Sequence, residues 1–401
     1  MNEVAVAIVG GGPAGAALAT RLAQQGIETV LFERLPAPRW RASGVYSSPL
    51  TRRRLEALGL PPNDVERLIR PISAMHVQSA DGRAACRLEY SAPDHACGLD
   101  RVRMERTLLD HARRAGAQIL EGHTAVAVDL SPENPRLVVS GPSGASHWQA
   151  RLVVGADGPP SLVARSAGVA LPSRHFRRGA LTVHRADPDA GPRASAMVAE
   201  MIVGAGWYCG IAPVPGARVN LGLVLSEREL RRQLQLPGRR SGIFARTLAE
   251  LPGDERAWAS APATDEIQVA LPLLHRVEHA AGRGFVLVGD AAGFVDPLSG
   301  DGLQRAFASA ELAATAIGRA LGGEGGALAD YDRRLRARFR SKDVLSWLLQ
   351  GFLANPVLAR HALRRLERRA ELRRTFSLAL ADLVPASRVM DPVFLSRLLA
   401  P

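Results

Sequence analysis

The chain has 401 residues, 47% of them hydrophobic, enough for more than one domain and a large buried core. Its net charge of +12 rests on arginine, Lys342 being the only lysine, and no nucleic-acid motif accompanies it. Nucleic-acid binding is therefore set aside, and an anionic cofactor, an acidic protein or a membrane surface stay as partners for the positive charge. The three cysteines, Cys86, Cys97 and Cys209, share no metal-ligand spacing, which argues against a zinc site or disulfide framework and fits a reducing cytoplasm.

The uncharged stretch 4–20 contains Gly10-Gly11-Gly12-Pro13, which breaks any spanning helix, and it lacks the basic flank of a secretion signal. Instead, Val4-Ala5-Val6-Ala7-Ile8-Val9 predicts a fully buried parallel strand. Gly10, Gly12 and Gly15 then satisfy G-x-G-x-x-G, with Pro13 and Ala14 between the last two. The first glycine permits a tight turn, the second lets backbone approach a pyrophosphate, and the third lets helix and strand pack closely. A helix rich in alanine follows and ends at Gly26; its free N-terminal amides form an anion site. Thr29-Val30-Leu31-Phe32 predicts the second strand, and Glu33 at its end stands where a carboxylate accepts hydrogen bonds from an adenosine ribose. Strand, turn, helix, strand and acid in this order point to a dinucleotide site without a 2′-phosphate.

Further along, Arg39-Trp40-Arg41-Ala42-Ser43-Gly44 forms a loop, and Asp100-Arg101-Val102-Arg103-Met104-Glu105 opens a helix. The segments 71–97 and 179–270 are rich in short alternating strands, such as Ala180-Leu181-Thr182-Val183-His184. Leu152-Val153-Val154-Gly155-Ala156-Asp157-Gly158 is a buried strand ending in an Asp-Gly turn, followed by Ser161 and Arg165. Gly284-Phe285-Val286-Leu287-Val288-Gly289-Asp290-Ala291-Ala292-Gly293 repeats the strand-then-glycine design; Pro297, Gly300 and Gly302 continue it before a helical run over 303–317. From Tyr331 onward the chain is helical and basic. Leu358, Ala359, Ala362, Leu363, Leu366 and Ala370 predict one apolar stripe flanked by arginines, and the stretch 331–374 is a candidate surface for a membrane or an acidic protein.

The segments at 10–15, 155–165 and 289–302 resemble three fingerprints of one flavoprotein class, over roughly residues 1–330. That class contains the single-component aromatic hydroxylases, the flavin-dependent halogenases and the geranylgeranyl reductases. The resemblance implies an α/β chain: a glutathione-reductase-like FAD-binding dinucleotide fold assembled from 1–70, 98–175 and 278–330. A mixed β-sheet substrate domain (71–97 and 176–277) is inserted, and a helical region (331–401) ends the chain. It implies FAD as cofactor and NAD(P)H as electron donor. Carried over, Asp290 bonds a ribityl hydroxyl, and backbone amides from Gly300 through Asp301 and Gly302 to Leu303 face the flavin pyrimidine edge. Arg101 reaches the pyrophosphate, Val126 meets the adenine through its backbone, and Arg34, Arg41, Ser43, Asp157, Gly289 and Pro297 complete the cofactor set.

Three outcomes of flavin chemistry compete. Halogenation is disfavoured: Lys342 lies in the C-terminal helices, and Gly206-Trp207-Tyr208-Cys209-Gly210-Ile211-Ala212-Pro213 lacks the Trp-x-Trp-x-Ile-Pro pattern of such enzymes. The geranylgeranyl reductases carry Tyr-x-Trp-x-Phe-Pro and then Asn-x-Gly-x-Gly; here Gly210 and Ala212 replace the aromatics, Val224 the last glycine, and Ser43-Gly44 the family's Cys-Gly pair. Hydroxylation of a hydrophobic, aromatic or polycyclic, small or carrier-bound substrate through a flavin hydroperoxide is the reading left in front. Reduction of prenyl or quinone double bonds and an accessory flavoprotein docking an acidic partner are the alternatives. His184 is the acid/base candidate, and Trp207 and Tyr208 are candidates for stacking on substrate.

Overall fold

The strand Asn2–Val9 has Val6, Ala7 and Ile8 fully buried, so both of its faces are covered and its sequence runs apolar without alternation. A computed structural model describes residues 1–131, 133–172, 177–188, 198–249 and 260–400. Of the substrate region, residue 176 and the segments 189–197 and 250–259 lie outside the described residues. Asn2–Val9 pairs in parallel with Thr29–Glu33 on one side and with the carboxyl half of Gly144–Gly155 on the other. Phe285–Leu287 pairs in parallel with the end of Gly144–Gly155, and Gln118–Glu121 closes the opposite edge. The order is Ala281–Gly282, Phe285–Leu287, Gly144–Gly155, Asn2–Val9, Thr29–Glu33 and Gln118–Glu121; the antiparallel strands Arg136–Gly141 and Thr124–Asp129 branch off to complete eight.

Against one face lie the helices Pro13–Gln24, Arg101–Arg114 and Gly302–Leu321. The last contributes Ala310 and Ala313 at zero exposure, the small side chains that let it lie close to Pro13–Gln24. The antiparallel strands cover the other face, where Trp148 meets Phe32 edge-on at 5.2 Å.

A second, seven-stranded sheet runs Gln268–Ala270, Arg178–Ala186, Arg218–Ser226, Tyr208–Val214, Val198–Val203, Ala74–Ser79, Ala85–Glu89. It is mixed, because Val198–Val203 pairs in parallel with Ala74–Ser79. One face packs Leu181, Val183, Leu221 and Leu223 with Leu230, Ile243 and Phe244 of two short helices; toward Ala74–Ser79 and Ala85–Glu89, the C-terminal helices cover the apolar surface.

Those helices are Ala327–Ala354, Pro356–Arg368, Ala370–Leu380 and Pro392–Leu399. The single stripe predicted through 358–370 is corrected here. Asn355 caps Pro356–Arg368 by accepting the Val357 and Leu358 N–H groups at 3.1 Å, and Ala359, Ala362, Leu363 and Leu366 are buried. At Arg369 the backbone becomes extended, and exposed Ala370 starts a new helix instead of continuing the stripe. The stripe faces the protein interior, and Arg360 beside it pairs with Asp81 at 3.0 Å.

Candidate functional site

The carboxyl ends of Asn2–Val9, Gly144–Gly155 and Phe285–Leu287 lie side by side, so the turns that follow them open into one space. It is a cavity of about 1180 Å³, walled on the far side by the second sheet. Gly10, Gly12, Pro13 and Ala14 line it. Gly10 has φ +106°, and a Cβ there would stand 2.4 Å from the Ala156 carbonyl oxygen; a Cβ on Gly15 would stand 2.0 Å from the Gly10 carbonyl oxygen. Gly12 differs: a Cβ there would meet no protein atom within 4 Å. Two of these glycines let backbone close on backbone, and the third leaves room for something that is not protein.

Glu33 is buried and accepts the Gly11 N–H at 2.7 Å and the Leu35 N–H at 3.0 Å, which fixes its carboxylate beside the turn. Arg34, exposed, lines the cavity next to it. Asp157 accepts the Leu162 N–H at 2.6 Å through Oδ2, while its buried Oδ1 has no partner, and burial pushes the carboxyl up. Arg101 donates to the Gly44 carbonyl at 2.8 Å and to Glu105 at 3.3 Å, leaving a buried Nε unsatisfied; Arg41 holds the other oxygen of Glu105 at 2.8 Å. Ser43 also lines the cavity, its hydroxyl on the Arg41 carbonyl at 3.2 Å.

On the third strand end, Gly289 has φ +60° and its N–H donates to Ser309 Oγ at 2.8 Å. Burial pushes the neighbouring Asp290 carboxyl up to about 6, against the pull of Arg305 and Arg101. Pro297, Gly300, Gly302 and Leu303 line the cavity; Gly300 is left-handed at φ +66°, and a Cβ there would press the Tyr46 ring at 2.8 Å. No side chain caps the Gly302–Leu321 helix, so its first amides are available to an anion or to a flavin edge. Asp301 is absent from the lining: it is buried against Arg305, which also pairs with Asp343 and lies 4.5 Å above the Phe339 ring. Val126 is likewise outside, half exposed at an irregularity of its strand, and His123, Thr124 and Ala125 form the wall there.

This pattern tests the cofactor directly. An uncovered glycine at the first helix, an orphaned carboxylate oxygen, an orphaned guanidinium nitrogen and an uncapped second helix fit an extended nucleotide with a pyrophosphate and a polar ring. The family model described as an FAD binding domain matches residues 3–342. The chain belongs to that family. The flavoprotein is 26% identical over 324 residues to digeranylgeranylglycerophospholipid reductase 2 of Methanopyrus kandleri, covering 80% of this chain and 78% of that one. It is 31% identical over 180 residues to the uncharacterized aromatic compound monooxygenase YhjG of Bacillus subtilis, 43% of this chain and 34% of that one. Among solved structures it is similar to CmlS, a flavin-dependent halogenase, with TM-score 0.75 and 25% identity over 85% of this chain; it spans 63% of the CmlS chain. These relatives place it among FAD-dependent oxidoreductases that include reductases, monooxygenases and halogenases.

The three candidates for substrate contact separate. Tyr208 lines the cavity with its hydroxyl donating to Asp296 Oδ1 at 2.5 Å; burial raises both groups. Trp207 turns away: it packs with Leu181 and Ile202 on the covered face, against Gly204. His184 sits behind Trp40, its ring 4.2 Å from the indole, and its Nδ1 is 2.6 Å from Asp265 Oδ2. Asp265 and Asp296 escaped sequence reasoning because their partners are 81 and 88 residues away. Glu105 was legible, four residues beyond Arg101 on one helix.

Lys342 is spoken for, with Nζ donating to the carbonyls of Ala379 and Leu380 and pairing with Asp382 at 2.8 Å. A small apolar chamber of about 120 Å³ lies between the second sheet and the C-terminal helices; Met75, Met201 and Leu298 line both it and the main cavity. Among the described residues no helix is long and apolar enough to cross a membrane, and no cluster of three metal-ligating side chains occurs.

Proposed function

We propose that this flavoprotein is a single-component monooxygenase that hydroxylates a hydrophobic aromatic or polycyclic substrate, taking electrons from NAD(P)H and oxygen from O2. The observation that carries the reading is a bare patch on the substrate wall. Gly210 and Gly222 face each other across neighbouring strands, and a Cβ on either would come no closer than 3.5 Å to any protein atom. A flat ring can lie there on backbone, where long side chains would otherwise fill the floor. FAD, when bound, accepts a hydride and brings O2 into reaction. The chain binds it through the three turns, holds the substrate wall rigid through the Tyr208–Asp296 pair, and screens the site from water with the Trp40 loop.

The Bacillus subtilis relative, named as an aromatic compound monooxygenase, supports this reading. A second reading, reduction of a prenyl or quinone double bond, is favoured by the apolar chamber, which would take the end of a chain threaded past Met201. The Methanopyrus relative, named as a reductase, supports that one. The test supplies holoprotein with NADH or NADPH, isotope-labelled O2 and a panel of hydrophobic phenols, polycyclic arenes and prenyl quinones. A product carrying one labelled oxygen atom supports hydroxylation. Saturation of an alkene without oxygen uptake, under anaerobic conditions, moves the assignment to the reductase. NAD(P)H oxidation that no substrate stimulates moves it to an accessory role.

A further inference from the structure

We propose that the exposed carboxyl end of the helix Ala327–Ala354, with the corner that follows it, rests on an anionic lipid surface. The inference goes beyond both readings of the reaction and depends on neither.

After Asp343 the chain carries no charge until Arg360, so the end of Ala327–Ala354 and the start of Pro356–Arg368 are both uncharged. Val344, Trp347, Leu348 and Gly351 recur every three or four residues and so lie on one side of the helix, in line with Arg340 a turn earlier. Val344 is 43% exposed, Leu348 38% and Val357, at the corner, 68%; Trp347 is half-buried. Large aliphatic side chains this open are scarce on the described surface, and three of them fall together here. The stripe predicted at 358–370 is turned inward, so the exposed apolar face of this basic region stands one helix earlier.

The opposite side of the same turns is packed. Leu349, Phe352 and Leu353 wall the small apolar chamber, which shares Met201 and Leu298 with the main cavity. Apolar surface therefore continues from the outer face of the helix, through its packed side, to the substrate wall.

Charge decides what covers the outer face. Arg340 is exposed, and neither it nor Arg338 has an acidic partner among the described residues. Toward the amino end, Arg333 and Arg336 are paired with Asp330 and Asp332 at 3.1 and 3.0 Å. The helix thus grades from cationic to apolar along its length, which suits a headgroup boundary. There guanidinium groups reach lipid phosphates on their aliphatic stems, an indole sits at the interface, and aliphatic side chains enter the acyl region. A second copy of the chain is a poorer occupant. From Val344 to Gly351 the stripe is roughly 12 Å long and 10 Å across, far short of the about 800 Å² per partner that a stable dimer buries. An acidic protein would answer the arginines and leave the aliphatic side chains uncovered.

The test mixes full-length holoprotein with sucrose-loaded vesicles of phosphatidylcholine, alone or with about one-third phosphatidylglycerol, and reads flavin absorbance in pellet and supernatant. Wild type should be half bound at about 1 mM accessible lipid on anionic vesicles and about tenfold weaker on neutral ones, the preference fading at about 0.5 M salt. Val344→Gln combined with Leu348→Gln should weaken anionic binding about tenfold by removing buried aliphatic surface, with flavin content and thermal midpoint unchanged. Arg340→Glu should weaken it about fivefold and leave neutral vesicles as they were. Leu236→Gln, at another exposed aliphatic side chain, should change nothing. Wild type left in the supernatant with both vesicles overturns the proposal. So does wild-type binding by the paired glutamine variant, or an equal loss in Leu236→Gln. A dimer that the paired variant breaks, without vesicle binding, gives the face to a second copy; capture of poly-glutamate through Arg340, without vesicle binding, gives it to an acidic protein. Either result overturns the lipid assignment.

Discussion

Gly10 and Gly12 occupy one turn and do different work. The first sits at φ +106° with the Ala156 carbonyl 2.4 Å from where a Cβ would be; the second has φ −67° and open space around it. Gly10→Ala is expected to cost the apoprotein about 1–3 kcal/mol through strain and backbone collision. Gly12→Ala should leave apoprotein stability within about 0.5 kcal/mol of wild type, yet weaken FAD binding at least about tenfold by filling the ligand's space. Urea unfolding of the apoproteins and fluorescence titration with FAD separate the two effects.

Asp290 gives a pH signature at the same scale. Burial raises its carboxyl from 3.8 to about 6, so the folded apoprotein holds the proton more tightly than the unfolded chain. Its contribution to stability is complete below about pH 4 and is lost as pH rises through about 6. Asp290→Asn removes the titration. Relative to that variant, wild-type apoprotein should lose about 1–3 kcal/mol between about pH 4 and pH 7 in urea unfolding. A difference that stays flat with pH would contradict the assignment.

At the scale of elements, local patterning served best where packing agrees with it. The run of small residues after Gly302 became the helix Gly302–Leu321, and the apolar run at 4–9 became the strand Asn2–Val9. The C-terminal stripe misled because no glycine or proline stands between Leu366 and Leu372, so nothing local announces the extended residue Arg369. Packing of the helices over the sheet sets that break. Lys342 shows the same dependence: its ammonium on the last carbonyls of Ala370–Leu380 and on Asp382 joins two helices. Lys342→Met should cost about 3–5 kcal/mol, since it strands the Asp382 carboxylate and two carbonyls. Adding Asp382→Asn should recover part of the loss. Thermal and urea unfolding of the single and double variants measure this; a neutral single variant would show that the pair contributes nothing.

For the molecule as a whole, the nucleotide motifs were readable because each is a strand followed closely in sequence by a glycine turn, and at Gly10 and Gly15 glycine is demanded by collisions with backbone that any sequence with that turn must meet. The order of those motifs pointed to a dinucleotide site, and their resemblance to the flavoprotein fingerprints pointed to the class of fold and to FAD. Their convergence depends on the parallel sheet, which sets the ends of Phe285–Leu287, Gly144–Gly155 and Asn2–Val9 side by side. The substrate wall was decided by tertiary structure. Trp207 and Tyr208 are neighbours in sequence, but where the strand Tyr208–Val214 begins they turn to opposite faces, one against the apolar layer and one into the cavity. Asp265 reaches His184, and Asp296 reaches Tyr208, across loops whose lengths carry no chemical signal, so those pairings exist only once two sheets and their connections are folded together.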